Sequence, residues 1–292
     1  MKTFSIHDLE RFSGVKAHTL RVWERRYNLL QPLRTTGNIR VYSLEQLKKI
    51  LNISLLKKNG HRISKLSEAP ESWIENKLSL LENEQSTCDK AVDELIINMY
   101  APVPDSFEKA LDKILFTVPL EVLIEKILFP FLSVTGLLCM GHKQIEQHLV
   151  VVGVRKKLIL AIETTFQNKK PESSVLLFLP DSKQLDLGLL YCYYFLKRRG
   201  IHVVYLGTEI TLENLRVVFQ IHQPDYLYTY LQKSHHYPVQ KLLHIMQAYA
   251  PNSKLINGGF HSEETSELKE FYFQFQFTEA LNYMAAISLK SA

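Results

Sequence analysis

The sequence predicts an α + α/β protein in three parts: a small basic helical head with a hairpin, a helical bundle, and a doubly wound parallel sheet. Three observations predict it. The first 70 residues hold two short segments of helical apolar period, split by a glycine turn and followed by a turn-rich stretch. Residues 89–170 keep apolar residues three and four apart, with prolines between the stripes. From residue 173 onward, short continuous apolar runs alternate with helical patterns. The 292 residues suit two domains or three small ones at about 150 residues per domain. With 46% apolar and 22% charged residues, the chain falls among globular proteins rather than disordered or fibrous ones.

The elements follow in order. Ser5 to Ser13 reads as a helix with Ile6, Leu9 and Phe12 on one face, and Ser13-Gly14-Val15 as a turn. Lys16 to Tyr27 is a second helix through Leu20, Trp23 and Tyr27, stopped by Pro32. Two short helices across a glycine turn form a helix-turn-helix pattern. Arg34 to Tyr42, with Thr35, Thr36, Gly37 and Asn38 at its centre, reads as a hairpin or wing. Ser43 suits the N-cap of a third helix, with Glu45 and Gln46 close behind it. Leu44, Leu47, Ile50, Leu51, Leu55 and Leu56 make that helix's stripe, Gly60 ends it, and Ile63 to Leu66 starts another. The head spans residues 1–70. Residues 71–88 read as a polar linker with a short helix around Trp73 to Glu82.

Residues 89–170 read as a bundle of four or five helices, with Pro102, Pro104, Pro119 and Pro130 marking breaks. In residues 171–292, Val175 to Leu179 is a strand buried on both faces, and Leu187 to Arg199 is a helix closed by Gly200. His202 to Leu206, Asp225 to Tyr230 and Leu255 to Asn257 are further strands. Leu212 to His222 and Pro238 to Ala250 are the helices between them. This alternation argues for a parallel sheet covered by helices on both sides.

Composition narrows the chemistry. Cys88, Cys139 and Cys192 lie far apart, which excludes a disulfide framework and any cysteine-based zinc spacing. No metal site is expected: Ser234-His235-His236-Tyr237 has two adjacent imidazoles, which rarely chelate one ion. His202 is expected packed or at a sheet edge. No apolar run reaches about 18 residues, and Met1 to Glu10 has no signal-peptide core, so a cytoplasmic protein without membrane contact is expected. No nucleophile elbow, phosphate-binding loop or dinucleotide glycine motif occurs, so no enzyme is expected.

Charge is uneven. Residues 1–70 carry fourteen basic and five acidic side chains; the remainder carries 21 basic and 25 acidic. A basic head on a mildly acidic body points to a polyanionic partner, since Lys and Arg release condensed counterions from nucleic acid.

The head residues Phe4-Ser5-Ile6, Ser13-Gly14-Val15, His18-Thr19-Leu20-Arg21, Trp23-Glu24-Arg25-Arg26-Tyr27 and Arg40-Val41-Tyr42-Ser43 closely resemble the MerR family of transcriptional regulators over about 70 residues. The resemblance implies a winged helix-turn-helix that binds an inverted-repeat operator in double-stranded DNA as a homodimer or higher homo-oligomer. It implies DNA contacts from His18, Thr19, Arg21, Arg25 and Arg26 of the second helix, and from Arg34, Asn38, Arg40 and Tyr42 of the wing. The residues agree: arginines one turn apart can enter a groove or clamp phosphates. Arg25 and Arg26 project about 100° apart, so only one of them faces the groove. Leu20 and Trp23 suit the core, and Glu24 suits pairing with a nearby arginine.

The body is similar to that of the light-responsive, cobalamin-binding MerR repressors, through Gly188, Leu196 to Gly200, Val203 to Gly207 and Gly258-Gly259. That resemblance makes the sheet flavodoxin-like and akin to the cobalamin-binding module of methionine synthase. The family's cobalt ligand is a His three residues before the glycine that is here Gly188. That position is Leu185, Lys183 stands where an acid belongs, and no His lies between Pro171 and Ile201. Leucine has no lone pair to give a metal. Gln147-His148 replaces the family's Glu-His pair, and Leu137, Leu138, Cys139 and Met140 replace its Trp. His148, Gly188, Gly258 and Gly259 are therefore candidate relics of a cofactor site. Tyr226, Tyr228 and Tyr230 share one face of a strand and are expected to fill cofactor space by bulk.

The reading is a DNA-binding regulator with a sensor or oligomerisation module that lacks cobalamin ligation through His. A cobalamin-dependent sensor or photoreceptor is the alternative, and a corrinoid carrier a third. A protein partner or an unknown small ligand at the body also fits this sequence.

Overall fold

Capping sets the boundaries of the head. In the computed structural model, which describes residues 3–103, 105–137, 145–165, 173–180, 186–231, 238–259 and 272–287, Ser5 caps α1 (Ile6–Ser13) in a reciprocal box with Asp8. Gly14, at φ 70°, ends α1 in the left-handed region that glycine enters without strain. After it, α2 (Ala17–Tyr27) buries Ala17, Leu20 and Trp23. Asn28 closes α2 at φ 48°, a conformation asparagine tolerates. The wing is a short antiparallel ladder of β1 (Leu33–Arg34) and β2 (Arg40–Val41). Ser43 and Gln46 form a second capping box at the start of α3 (Leu44–Lys58), which buries Leu47, Ile50, Leu51, Ile53, Leu55 and Leu56.

Two short helices follow, α4 (Ile63–Glu68) and α5 (Glu71–Ser79). The stretch expected as a polar linker holds α5, whose Ile74 and Leu78 are buried, and the start of α6 (Glu84–Met99), where Ser86 and Cys88 are buried. Then come α7 (Ser106–Thr117), α8 (Leu120–Val122), a π-helical turn over Leu123–Leu128, α9 (Phe129–Thr135) and α10 (Ile145–Thr164). Pro130, expected to mark a break, lies where the π-helical turn Leu123–Leu128 passes into α9, and the helical backbone runs on through it. The head and the bundle share packing: α3 lies on α6 and α1 on α9, and Tyr100 presents its ring edge to Phe4 at 4.9 Å.

The chain divides into two units, Met1–Leu137 with Lys143–Gly153 and Leu138–His142 with Val154–Ala292. The second unit contains β3 (Ser174–Phe178), α11 (Leu187–Arg198), β4 (His202–Gly207), α12 (Leu212–Ile221), β5 (Tyr226–Thr229), α13 (Val239–Tyr249), β6 (Lys254–Asn257), β7 (Tyr272–Gln274) and α14 (Phe277–Ile287). The strands are parallel in the order β4-β3-β5-β6-β7. This is the flavodoxin-like doubly wound order, whose ligand crevice lies at the carboxyl ends beside β3. β3 lies inside the sheet between β4 and β5, and its Val175 to Phe178 are fully buried, as a two-faced strand requires. One core layer joins Leu176, Phe178 and Leu227 of the sheet to Leu215 and Phe219 of α12 and Leu242 and Met246 of α13. The sequence reading stopped at the fourth strand of this sheet; β7 and α14 complete it.

Candidate nucleic-acid interface

His18, Arg21, Arg25 and Arg26 are exposed on α2, and Thr19 is half-exposed. Helical period puts His18, Arg21 and Arg25 on one side. Arg26 turns away from them, its guanidinium 5.4 Å from the Tyr27 ring centre. Arg34 and Asn38 are exposed at the wing tip. Asn38, at φ 60°, makes the tight turn, and its side-chain oxygen accepts a 2.6 Å bond from Arg34. Thr35 closes the loop by accepting from the Ile39 amide.

Helix and wing meet at Glu24. Arg40 Nε donates to Glu24 Oε1 at 3.1 Å, and the Tyr42 hydroxyl donates to Oε2 at 3.0 Å. Tyr42 is fully buried, backed by the Phe4 ladder contact. Burial, then the Glu24 carboxylate, pushes its hydroxyl up to about 12. Expected as a DNA contact, Tyr42 is instead an interior support, because its ring faces the core and its proton is held by Glu24. Arg21, Glu24, Arg25 and Arg40 line a cleft of about 500 Å³ together with Asn28, Leu30, Gln31 and Pro32. Sequence reasoning did not single out Asn28 or Gln31. The signal for Asn28 was its place just after the last apolar residue of a helix, where asparagine takes the left-handed turn. Gln31 had no such signal; its carbonyl meets the Gln46 side chain across the fold.

The body residues are placed less uniformly. His148 is exposed on the first-unit part of α10. Gly188 is buried in the first turn of α11. Gly258 and Gly259 are buried just after β6. A Cβ on Gly258 would overlap the Tyr228 phenol, and one on Gly259 would overlap the Leu231 carbonyl. Tyr228 is thus the member of the tyrosine row that fills this space. Tyr226 is half-buried at the start of β5, and Tyr230 lines a 490 Å³ pocket with Gly258, Gly259, Phe275 and Phe277. Asp186, next to the expected ligand position, is gripped by the Arg155 guanidinium, with Nε 3.1 Å from Oδ2. His202 is exposed at the start of edge strand β4, its ring 5.8 Å from that of His222. Leu185, Lys183, Leu138, Cys139, Met140 and His235-His236 lie outside the described residues, as does the side chain of Gln147. Among the described residues, no group of three His, Cys, Asp or Glu is arranged to hold a metal, and no helix is long and apolar enough to cross a membrane.

Residues 4–71 match the MerR HTH family regulatory protein. The head is a MerR-type helix-turn-helix domain. Similarity to two curated relatives runs beyond the head into the body. The HTH-type transcriptional repressor CarA of Myxococcus xanthus is 26% identical over 214 residues, covering 71% of this chain and 69% of that protein. The HTH-type transcriptional repressor CarH of the same organism is 23% identical over 239 residues, covering 77% of this chain and 78% of that protein. Among solved structures, a Methanosarcina barkeri monomethylamine corrinoid protein superposes with a TM-score of 0.52 at 15% identity, over 70% of this chain and all of that one. That likeness shows the fold alone. The chain therefore joins a MerR-type head to a body with the fold of a corrinoid protein.

Proposed function

We propose that this protein is a sequence-specific DNA-binding transcriptional regulator that docks on an inverted-repeat operator as a dimer. One observation carries the reading: the exposed Arg21 and Arg25 of α2 and the wing's Arg40 converge on one cleft inside the MerR-type head. Such a cluster supplies bidentate donors for guanine edges and for phosphates. His18, Thr19, Arg34 and Asn38 extend the same surface, and Arg26 serves a flanking phosphate. The two-fold operator follows from a protein dimer with one recognition helix per half-site. The protein acts by binding rather than by turnover, in the cytoplasm.

The body serves as a sensor or oligomerisation module. The corrinoid-protein fold favours cobalamin as a second reading, but the residues present do not fit a His-ligated cobalt. Leu185 has no donor atom, and the Cβ position of Gly258 is taken by the chain's own Tyr228. The body therefore takes a protein partner or another small ligand.

The test uses an operator selected by the wild-type protein from random duplexes. Arg21→Ala is expected to lose about 10- to 100-fold in operator affinity at fixed salt, the worth of one bidentate base contact. Its circular dichroism should be unchanged, since Arg21 is exposed. Equal affinity for wild type and variant would sink the assignment.

A further inference from the structure

We propose that Glu24 is a positioning residue for the wing: its carboxylate locks Arg40 and Tyr42 onto the recognition helix, so that Arg40 meets DNA already oriented. The inference rests on the DNA-binding reading above. A carboxylate in a cleft built for phosphates is at first sight misplaced. Glu24 lines the same cleft as Arg21, Arg25 and Arg40, where its charge opposes a phosphate by simple Coulomb repulsion. Its geometry shows a compensating role. The side chain is only 17% exposed, and its two oxygens are divided between two donors of one extended segment.

Residues 40 and 42 are two apart, so their side chains leave the strand on the same face. A carboxylate that accepts from both fixes which face of β2 meets α2. A one-residue slip would put Val41 against Glu24 and break both bonds. Arg40 uses only Nε in this contact. The other guanidinium donors remain, and its side chain is 40% exposed toward the cleft. An arginine held this way loses less rotamer freedom on binding than a loose one. Tyr42 anchors the far side, since it is buried and laddered to Phe4.

Charge counting and positioning predict opposite signs. If Glu24 were only a counter-charge, removing it would tighten every DNA complex. If it positions Arg40, removing it weakens the specific complex and leaves the non-specific one unharmed. The experiment measures full-length wild type, Glu24→Gln, Arg40→Ala and the double variant. The probes are the selected operator and a scrambled duplex of equal length, over a salt series. Glu24→Gln is expected to lose about tenfold on the operator. Its affinity for the scrambled duplex should hold or rise. Arg40→Ala should lose a similar factor, and the double variant should lose little more than either single one, because the two side chains act as a unit.

An operator affinity that stays or rises in Glu24→Gln overturns the proposal, and so do fully additive losses. A parallel loss on both duplexes with a lowered melting temperature also overturns it, in favour of plain support of the fold. A wild-type protein that prefers no duplex over any other fails at an earlier step and removes the DNA-binding reading itself.

Discussion

Asn257 shows how much one interior side chain can organise. It is fully buried at the end of β6. Its Oδ1 accepts from the amides of Leu231 at 2.9 Å and Gly259 at 3.0 Å, and its Nδ2 donates to the Tyr272 hydroxyl at 3.1 Å. One amide thereby ties the ends of three neighbouring strands, β5, β6 and β7. Asn257→Ala would leave two buried N–H groups without acceptors, and the expected destabilisation is about 2–4 kcal/mol. Urea unfolding of the full chain checks it; a loss under about 0.5 kcal/mol would mean that water or relaxation replaces the amide. The same corner explains Gly258-Gly259. Sequence inspection offers two readings of a glycine pair, a cradle or a turn. The overlap of any added Cβ with Tyr228 and with Leu231 makes this pair a close-packed turn.

At the scale of elements, capping fixes the boundaries, and the Ser43 cap was legible in the sequence. Ser5 with Asp8, Ser43 with Gln46 and Thr211 with Asn214 each satisfy orphan amides reciprocally. Packing between elements was not legible, and the α3–α6 contact shows its consequence. Lys58 at the end of α3 pairs with Asp89 of α6 at 3.2 Å. Asp93, one turn further along α6, has its carboxyl pushed up to about 7 by burial first; Lys58 works against the rise and Asp89 adds to it. The folded state thus holds this proton more tightly than the unfolded chain. Stability falls as pH rises from the ordinary carboxylate range toward 7, and the full cost is present above that. Asp93→Asn should therefore raise the melting temperature at about pH 8 and leave it almost unchanged at about pH 4, where the acid is already neutral. A variant that is stabilised equally at both values, or destabilised at about pH 8, would show that Asp93 is ionised and adequately paired.

At the scale of the whole molecule, the chain divides into two units, and the body has the fold of a corrinoid protein. Fold and ligand are separable for a physical reason: backbone topology follows from apolar patterning, while ligation needs particular atoms. We therefore expect adenosylcobalamin or methylcobalamin, added in the dark, to keep the absorbance spectrum of the free corrinoid. The dimer should be equally populated with and without it by light scattering. A stoichiometric spectral change on titration would reverse this and give first place to the cobalamin-sensor reading, in which some other group takes the position of Leu185. Absence of binding with intact operator recognition would direct the search to a protein partner.

The amino-acid sequence by itself determined the order of elements through most of the chain. Periodicity marks α1, α2 and α3, and an unbroken apolar run marks β3, because burial of one face or two is written locally. The basic face of α2 was equally plain, since exposed arginines need no partner to be noticed. Tertiary structure alone decided three things. It decided that Tyr42 faces inward, because Glu24, eighteen positions earlier in the chain, accepts its proton. It decided that the short helix read within residues 71–88 is packed rather than part of a free linker, because α5 lies against α3 and buries Ile74 and Leu78. It decided that the glycine pair has no room for a side chain, because Tyr228 of the neighbouring strand occupies the Cβ position of Gly258. Each depends on groups far apart in sequence, whose meeting is set by the packing of the whole chain and not by the pattern of any one segment.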